Sequence, residues 1–163
     1  DSFVNALFET VSGLTTTGST VLPDIEAQGK GILLYRQYTQ WFGGGGIVLL
    51  AVAIWQGFGV GGLELAEAEI AGSSAERLAP RVATTARRLW TVYGSLTVAV
   101  ALGLLVVGVG PYDAVAHALT TIPTAGFSTF DDSIGHFDSA AVEAVLILGM
   151  LAGGTNFALQ FRA

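Results

Sequence analysis

NALFETVSGLTTTGST (residues 5–20) and DAVAHALTTIPTAGFS (residues 113–128) are two versions of one pattern, offset by 108 residues. With Gly18 set on Gly126, Asn5-Ala6 falls on Asp113-Ala114, Leu14 on Ile122, Thr16 on Thr124 and Thr20 on Ser128. Each copy opens with an apolar stretch, Ser2–Leu14 or Tyr112–Ile122. At about a dozen residues, each is too short to cross a bilayer but long enough for a half-helix that enters and stops. Each then breaks into an extended segment, TTTGS (15–19) or PTAGF (123–127), which is poor in helix formers and holds a glycine tolerant of angles that a Cβ forbids. Downstream, Phe42-Gly43-Gly44 lies near Ala152-Gly153-Gly154 if a shift of two residues is allowed, so the repeat extends beyond the loops.

Around these segments the chain is built for lipid. Apolar residues make up 52% of its 163 positions, charged residues 12%, and the mean hydropathy is +0.61. A soluble surface needs roughly 25–35% Lys, Arg, Glu and Asp, which this chain lacks. The absence of Cys excludes disulfides, Cys-ligated zinc and thiol catalysis, and a net charge of -6 disfavours nucleic acid. No basic segment with a short apolar run opens the chain, so no signal peptide is expected, and the abrupt ends read as those of an internal fragment. Three stretches read as spanning helices: Lys30–Gln56, Leu89–Tyr112 and Ser139–Phe161. Arg77, Arg81, Arg87 and Arg88 fall in the one polar connection, 57–88, and Arg162 ends the last span, which places those ends in the cytoplasm. The opposite ends carry Asp24, Glu26, Asp113, Asp131, Asp132 and Asp138. Such acids either concentrate cations at a mouth or merely solubilise outer loops. The expected organisation is all-α and membrane-integral: residues 1–56 as a first helix–pore-loop–helix unit, 57–88 as a cytoplasmic connection, 89–163 as a second unit.

Non-helical backbone at membrane depth leaves carbonyls unpaired, which is tolerable where they line a watery or ion-filled cavity. Stacked carbonyls can replace the hydration shell of a potassium ion. A half-helix entering from outside points its partially negative C-terminal end at that cavity. Loop, dipole and acidic mouth agree on a cation.

At these residues the sequence resembles the Trk/Ktr/HKT superfamily of potassium transporters, and within it most of all the bacterial Trk branch. The resemblance lies in ALFETVSGLTTTGSTVLPDIE (6–26), YRQYTQWFGGGGIVLLAVAI (35–54), ERLAPRVATTARRLW (76–90) and HALTTIPTAGFSTFDDSIGHFDSAAVEA (117–144). It implies a chain with four pore-loop repeats about a pseudo-fourfold axis, of which this segment holds parts of the first and second. It implies filter oxygens on Thr16, Thr17, Gly18 and Ser19, and on Thr124, Ala125, Gly126 and Phe127. Glycine at both Gly18 and Gly126 is the pattern associated with potassium; some plant relatives with Ser in the first loop favour sodium. Pro123 and Ala125 depart from the commoner Ala and Gly. The resemblance further implies potassium as the transported ion with no organic cofactor, a homodimer in membrane lipid, a cytosolic nucleotide-binding regulatory ring, and multi-pass residence in the bacterial inner membrane. A two-pore-loop channel subunit and a non-conducting scaffold are the alternative readings, the first disfavoured by the missing T-x-G-Y-G.

GFGVGG (57–62) matches a dinucleotide fingerprint but follows a membrane helix instead of a strand, so it reads as a helix-exit turn. Gly43–Gly46 read as sites of close helix packing, in preference to a kink. Glu9 and Arg36, charges at membrane depth, are expected to pair and fix the first half-helix to its following span, the alternative being separate snorkelling. His117 and His136 lack metal-ligand spacing, and His117 reads as packing of the second half-helix. No nucleophile stands beside a base, so no enzyme is expected.

Overall fold

A computed structural model describes residues 2–57 and 74–155. The GFGVGG stretch beyond Gly57, the side chains of Arg77 and Arg81, and the end of the third expected span from residue 156 lie outside the described residues. The described chain is helical: α1 (Phe3–Leu14), α2 (Lys30–Gly57), α3 (Ser74–Val106), α4 (Pro111–Thr121) and α5 (Ala140–Gly154), with a short 3-10 turn at Ser133–Phe137.

The short helices begin where their caps dictate. Ser2 accepts the Asn5 N–H at the start of α1, and Pro111 opens α4, where a missing N–H costs nothing. The span expected over Leu89–Tyr112 stops earlier, at Val106. Gly108 adopts a left-handed φ of 95°, its N–H donates to the Leu105 carbonyl, and the Val109 N–H donates to the Leu104 carbonyl. That is a glycine stop closed by an apolar contact, because Leu104 and Val109 are both buried in the core. At its other end α3 starts at Ser74, so part of the polar connection is helix continuous with the span. The third expected span ends its helix at Gly154, followed by an extended Thr155.

Among the described residues one segment, Ala86–Val106, is long and apolar enough by itself to cross a membrane. Helix α2 has 28 residues, roughly 42 Å, so it has the length. Large apolar side chains stay exposed on α1 (Phe3, Leu7, Leu14), α3 (Val98, Leu102) and α5 (Leu148, Leu151), the surface of a membrane-type fold.

The core packs Val100 and Leu104 of α3 against Ala114 and Ala118 of α4, Ile122 just past its end, and Val142 and Leu146 of α5. Helix α2 joins it to α1. Trp41, Trp90 and Tyr93 cluster between α2 and α3, where the Trp41 Nε1–H donates to Thr97 at 2.9 Å and the Tyr93 hydroxyl to the Trp41 carbonyl at 3.0 Å. On its other face α2 presents glycines to both short helices, and it runs unbroken through all four. A Cβ on Gly43 would strike the Leu14 carbonyl at the end of α1, one on Gly44 would sit 2.5 Å from Pro123, and one on Gly45 would meet Trp90. Gly153 on α5 stands against the Ile122 carbonyl as Gly43 does against Leu14. Gly43 and Gly153 are contact points for backbone, Gly44 and Gly45 for side chains.

Candidate functional site

Both loops leave their short helices by the same route. Thr16 and Thr124 have φ of 55° and 54°, Gly18 and Gly126 have 76° and 108°, so left-handed residues alternate at matching positions. For threonine that conformation is strained, and it recurs in both copies. The N–H groups are tied back to the helix ends in register. Thr16 donates to the Gly13 carbonyl as Thr124 does to Thr121, each at 3.0 Å. Thr17 donates to Ser12 as Ala125 does to Thr120, again at 3.0 Å. Pro123 removes one bond of the set, the counterpart of Thr15 N–H to Val11, and the long Gly18 N–H to Ser12 bond of 3.5 Å has no counterpart at Gly126.

The carbonyls behave differently. Those of Thr16, Thr17, Gly18, Thr124, Ala125, Gly126 and Phe127 accept no hydrogen bond from any described residue. For Thr16, Thr17, Thr124 and Gly126 the reason is geometric. In a trans peptide the N–H and the preceding C=O point in opposite directions, so tying an N–H inward turns its partner carbonyl outward. Ser19 is the exception among the eight positions expected from sequence: its carbonyl accepts the Ser12 hydroxyl. The two loops also touch, since a Cβ on Gly18 would collide with the Ala125 carbonyl.

Beyond each loop a hydroxyl is gripped from the short helix. Glu9 Oε1 accepts the Thr20 hydroxyl and the Val21 N–H, both at 2.6 Å. In the second copy His117 Nε2 lies 3.0 Å from the Ser128 hydroxyl. Position 9 maps on 117 and position 20 on 128 at the same offset of 108. Each hydroxyl then accepts an N–H two residues on, Leu22 or Phe130. His117 is therefore a loop anchor as well as a packing residue, lying with His136 against Phe130.

The expected Glu9–Arg36 pair is present, at 3.1 Å, with side-chain exposures of 13% and 5%. Arg36 reaches further. Its Nη2 donates to Thr20 at 3.1 Å and its guanidinium lies 4.1 Å from the Phe127 ring centroid. One turn on, the fully buried Gln40 accepts the Phe127 N–H through Oε1 at 3.2 Å. Past the loops the Ile25 N–H donates to Asp131 at 2.8 Å, joining the segments that follow them. Gln40, Ser12 and the His117–Ser128 pair were not singled out from sequence. The available signal was two glutamines inside an otherwise apolar span, on the face that carries Arg36.

Comparison with known proteins places this geometry. The family model described as TrkH, cation transport protein, matches residues 2–163. The Trk system potassium uptake protein TrkH of Vibrio parahaemolyticus is 46% identical over 163 residues, covering 99% of this chain and 34% of that protein. TrkH of Escherichia coli is 46% identical over 161 residues, with coverages of 98% and 33%. The crystal structure of the potassium transporter TrkH from Vibrio parahaemolyticus superposes with a TM-score of 0.82 at 43% identity, over 99% of this chain and 31% of that one. The chain thus spans about a third of the length of the curated relatives it matches.

Proposed function

Because the chain belongs to the TrkH family of cation transport proteins, we propose that it forms two walls of a potassium-uptake pore. The reading is supported above all by the two matched loops, most of whose N–H groups are tied inward and seven of whose carbonyls accept no hydrogen bond among the described residues. Such a surface is rich in free carbonyl oxygens, which suits a cation. Helices α1 and α4 add the partially negative ends of their dipoles at the same place.

In this reading the carbonyls of Thr16, Thr17 and Gly18, and of Thr124, Ala125, Gly126 and Phe127, line the selectivity filter. Ser19 closes the first loop through its bond to Ser12. The units 1–56 and 89–163 are helix–pore-loop–helix repeats, and 57–88 is the cytoplasmic connection. The full-length protein would be multi-pass in the bacterial inner membrane, a homodimer in lipid, and regulated by a cytosolic nucleotide-binding subunit. The relatives' names, potassium uptake proteins, support potassium as the cargo.

The test is cation flux through the full-length protein in liposomes. Wild type is expected to pass K⁺ in preference to Na⁺; no K⁺ flux would end the proposal. Gly18→Ser places a Cβ at a left-handed position, against the Ala125 carbonyl, and so disturbs both loops at once. It should admit Na⁺ more readily. A K⁺/Na⁺ ratio equal to wild type in that variant removes the loops from the filter.

A further inference from the structure

We propose that Gln40 locks the peptide plane of Gly126 in the second loop, and that it is thereby a positioning residue for ion selectivity. The inference rests on the filter reading above, which it extends from the loop to the helix behind it. Gly126 lacks a Cβ and holds a φ of 108°, with no atom within 4 Å of where a Cβ would stand. No Cβ contact therefore holds Gly126, and glycine backbone rotates readily. What fixes the plane between Gly126 and Phe127 is a hydrogen bond. The Phe127 N–H belongs to that plane and donates to Gln40 Oε1 at 3.2 Å, inside the protein, where Gln40 is fully buried. With the N–H held inward, the Gly126 carbonyl must point the other way, toward the ion path.

Arg36 acts on the same residue from one turn away. Its guanidinium covers the Phe127 ring, while its Nε and Nη2 bind Glu9 and Thr20 at the exit of the first loop. Helix α2, which belongs to the first unit, thus holds the filter segment of the second. The first loop has no such lock: among the described residues no acceptor takes the Ser19 N–H, the donor of the matching plane. The loops are equivalent in backbone and unequal in support.

Full-length protein in liposomes, assayed for relative K⁺ and Na⁺ flux, tests the lock. Gln40→Met keeps the volume and removes the acceptor. The K⁺ preference should fall on the order of tenfold, the factor that one buried hydrogen bond is worth. Gln40→Glu keeps an acceptor for Phe127 and should restore most of the preference. Gln37→Met is the control: Gln37 is equally buried on the same helix and makes no hydrogen bond to any described residue. If Gln40→Met does not assemble, Gln40→Asn, whose shorter side chain withdraws the amide, is compared with Gln40→Glu. Glutamate nearer to wild type supports the lock. Unchanged selectivity in the Met variant, asparagine as selective as wild type, or an equal loss in Gln37→Met overturns it. A wild type without K⁺ flux would instead overturn the pore reading itself, so the two failures are distinct.

Discussion

The Glu9–Arg36 pair is the residue on which the first unit turns, because both groups are largely withdrawn from water. Breaking a buried pair strands a charge and costs about 3–5 kcal/mol. The two halves are not equal. An arginine cannot shed its proton, whereas a glutamate can neutralise itself. Arg36 is also the more deeply buried, and Glu9 would keep its bonds to Thr20 and Val21. Glu9→Gln should therefore lower the unfolding midpoint of the detergent-solubilised full-length protein more than Arg36→Gln, and the double variant should lose less than the two effects added together. Strict additivity would show that the charges do not interact. This pair was legible in the sequence because a charge at membrane depth needs a partner of opposite sign. The Gln40–Phe127 bond was not, because its partners stand 87 residues apart and meet only through the packing of α2 on the second loop. The shared role of Glu9 and His117 was hidden for another reason. A carboxylate and an imidazole both hold a hydroxyl, but an alignment by residue type does not pair them.

At the scale of elements, the glycines decide how closely helices meet. Gly43 and Gly153 each sit against the last carbonyl region of a short helix, Leu14 or Ile122, with no room for a Cβ. Gly46 has open space around it. Gly43→Ala and Gly153→Ala should each destabilise the full-length protein by about 1–3 kcal/mol, since the clash is with backbone, which cannot step aside as a side chain can. Gly46→Ala should be neutral or raise the unfolding midpoint, because alanine favours helix by roughly 0.5–1 kcal/mol. A uniform response across the three would contradict the packing reading. Here the sequence was informative: small residues in a span, recurring beside both loops, pointed to close approach. Helix ends were read less well. Hydropathy carried the second span on to Tyr112, yet Gly108 stops the helix at Val106 by turning left-handed, a choice that an apolarity profile does not record. Of the third expected span, the helix is described to Gly154, and the remainder from residue 156 lies outside the described residues.

For the whole molecule, the proposed pore makes the two matched loops half of a ring. The loops meet where Gly18 faces the Ala125 carbonyl, and their unpaired carbonyls need either water or a cation. A cation held by these oxygens in the folded state alone must stabilise that state, by about 2.7 kcal/mol at a concentration a hundred times its dissociation constant. Raising K⁺ at constant ionic strength, with choline as the replaced ion, should therefore raise the unfolding midpoint of the full-length protein. Na⁺ should do so less. The choice of choline separates binding from screening, because the Debye length depends on total salt and not on which monovalent ion supplies it. Gly18→Ser should narrow the gap between K⁺ and Na⁺, since its effect falls on the carbonyls and not on the outer acids Asp24, Glu26, Asp131 and Asp132. If K⁺ and Na⁺ shift the midpoint equally in wild type, the acidic mouth accounts for the cation effect and the loops do not discriminate. If they differ in wild type and converge in Gly18→Ser, selectivity resides in the backbone that the two short helices hold in place.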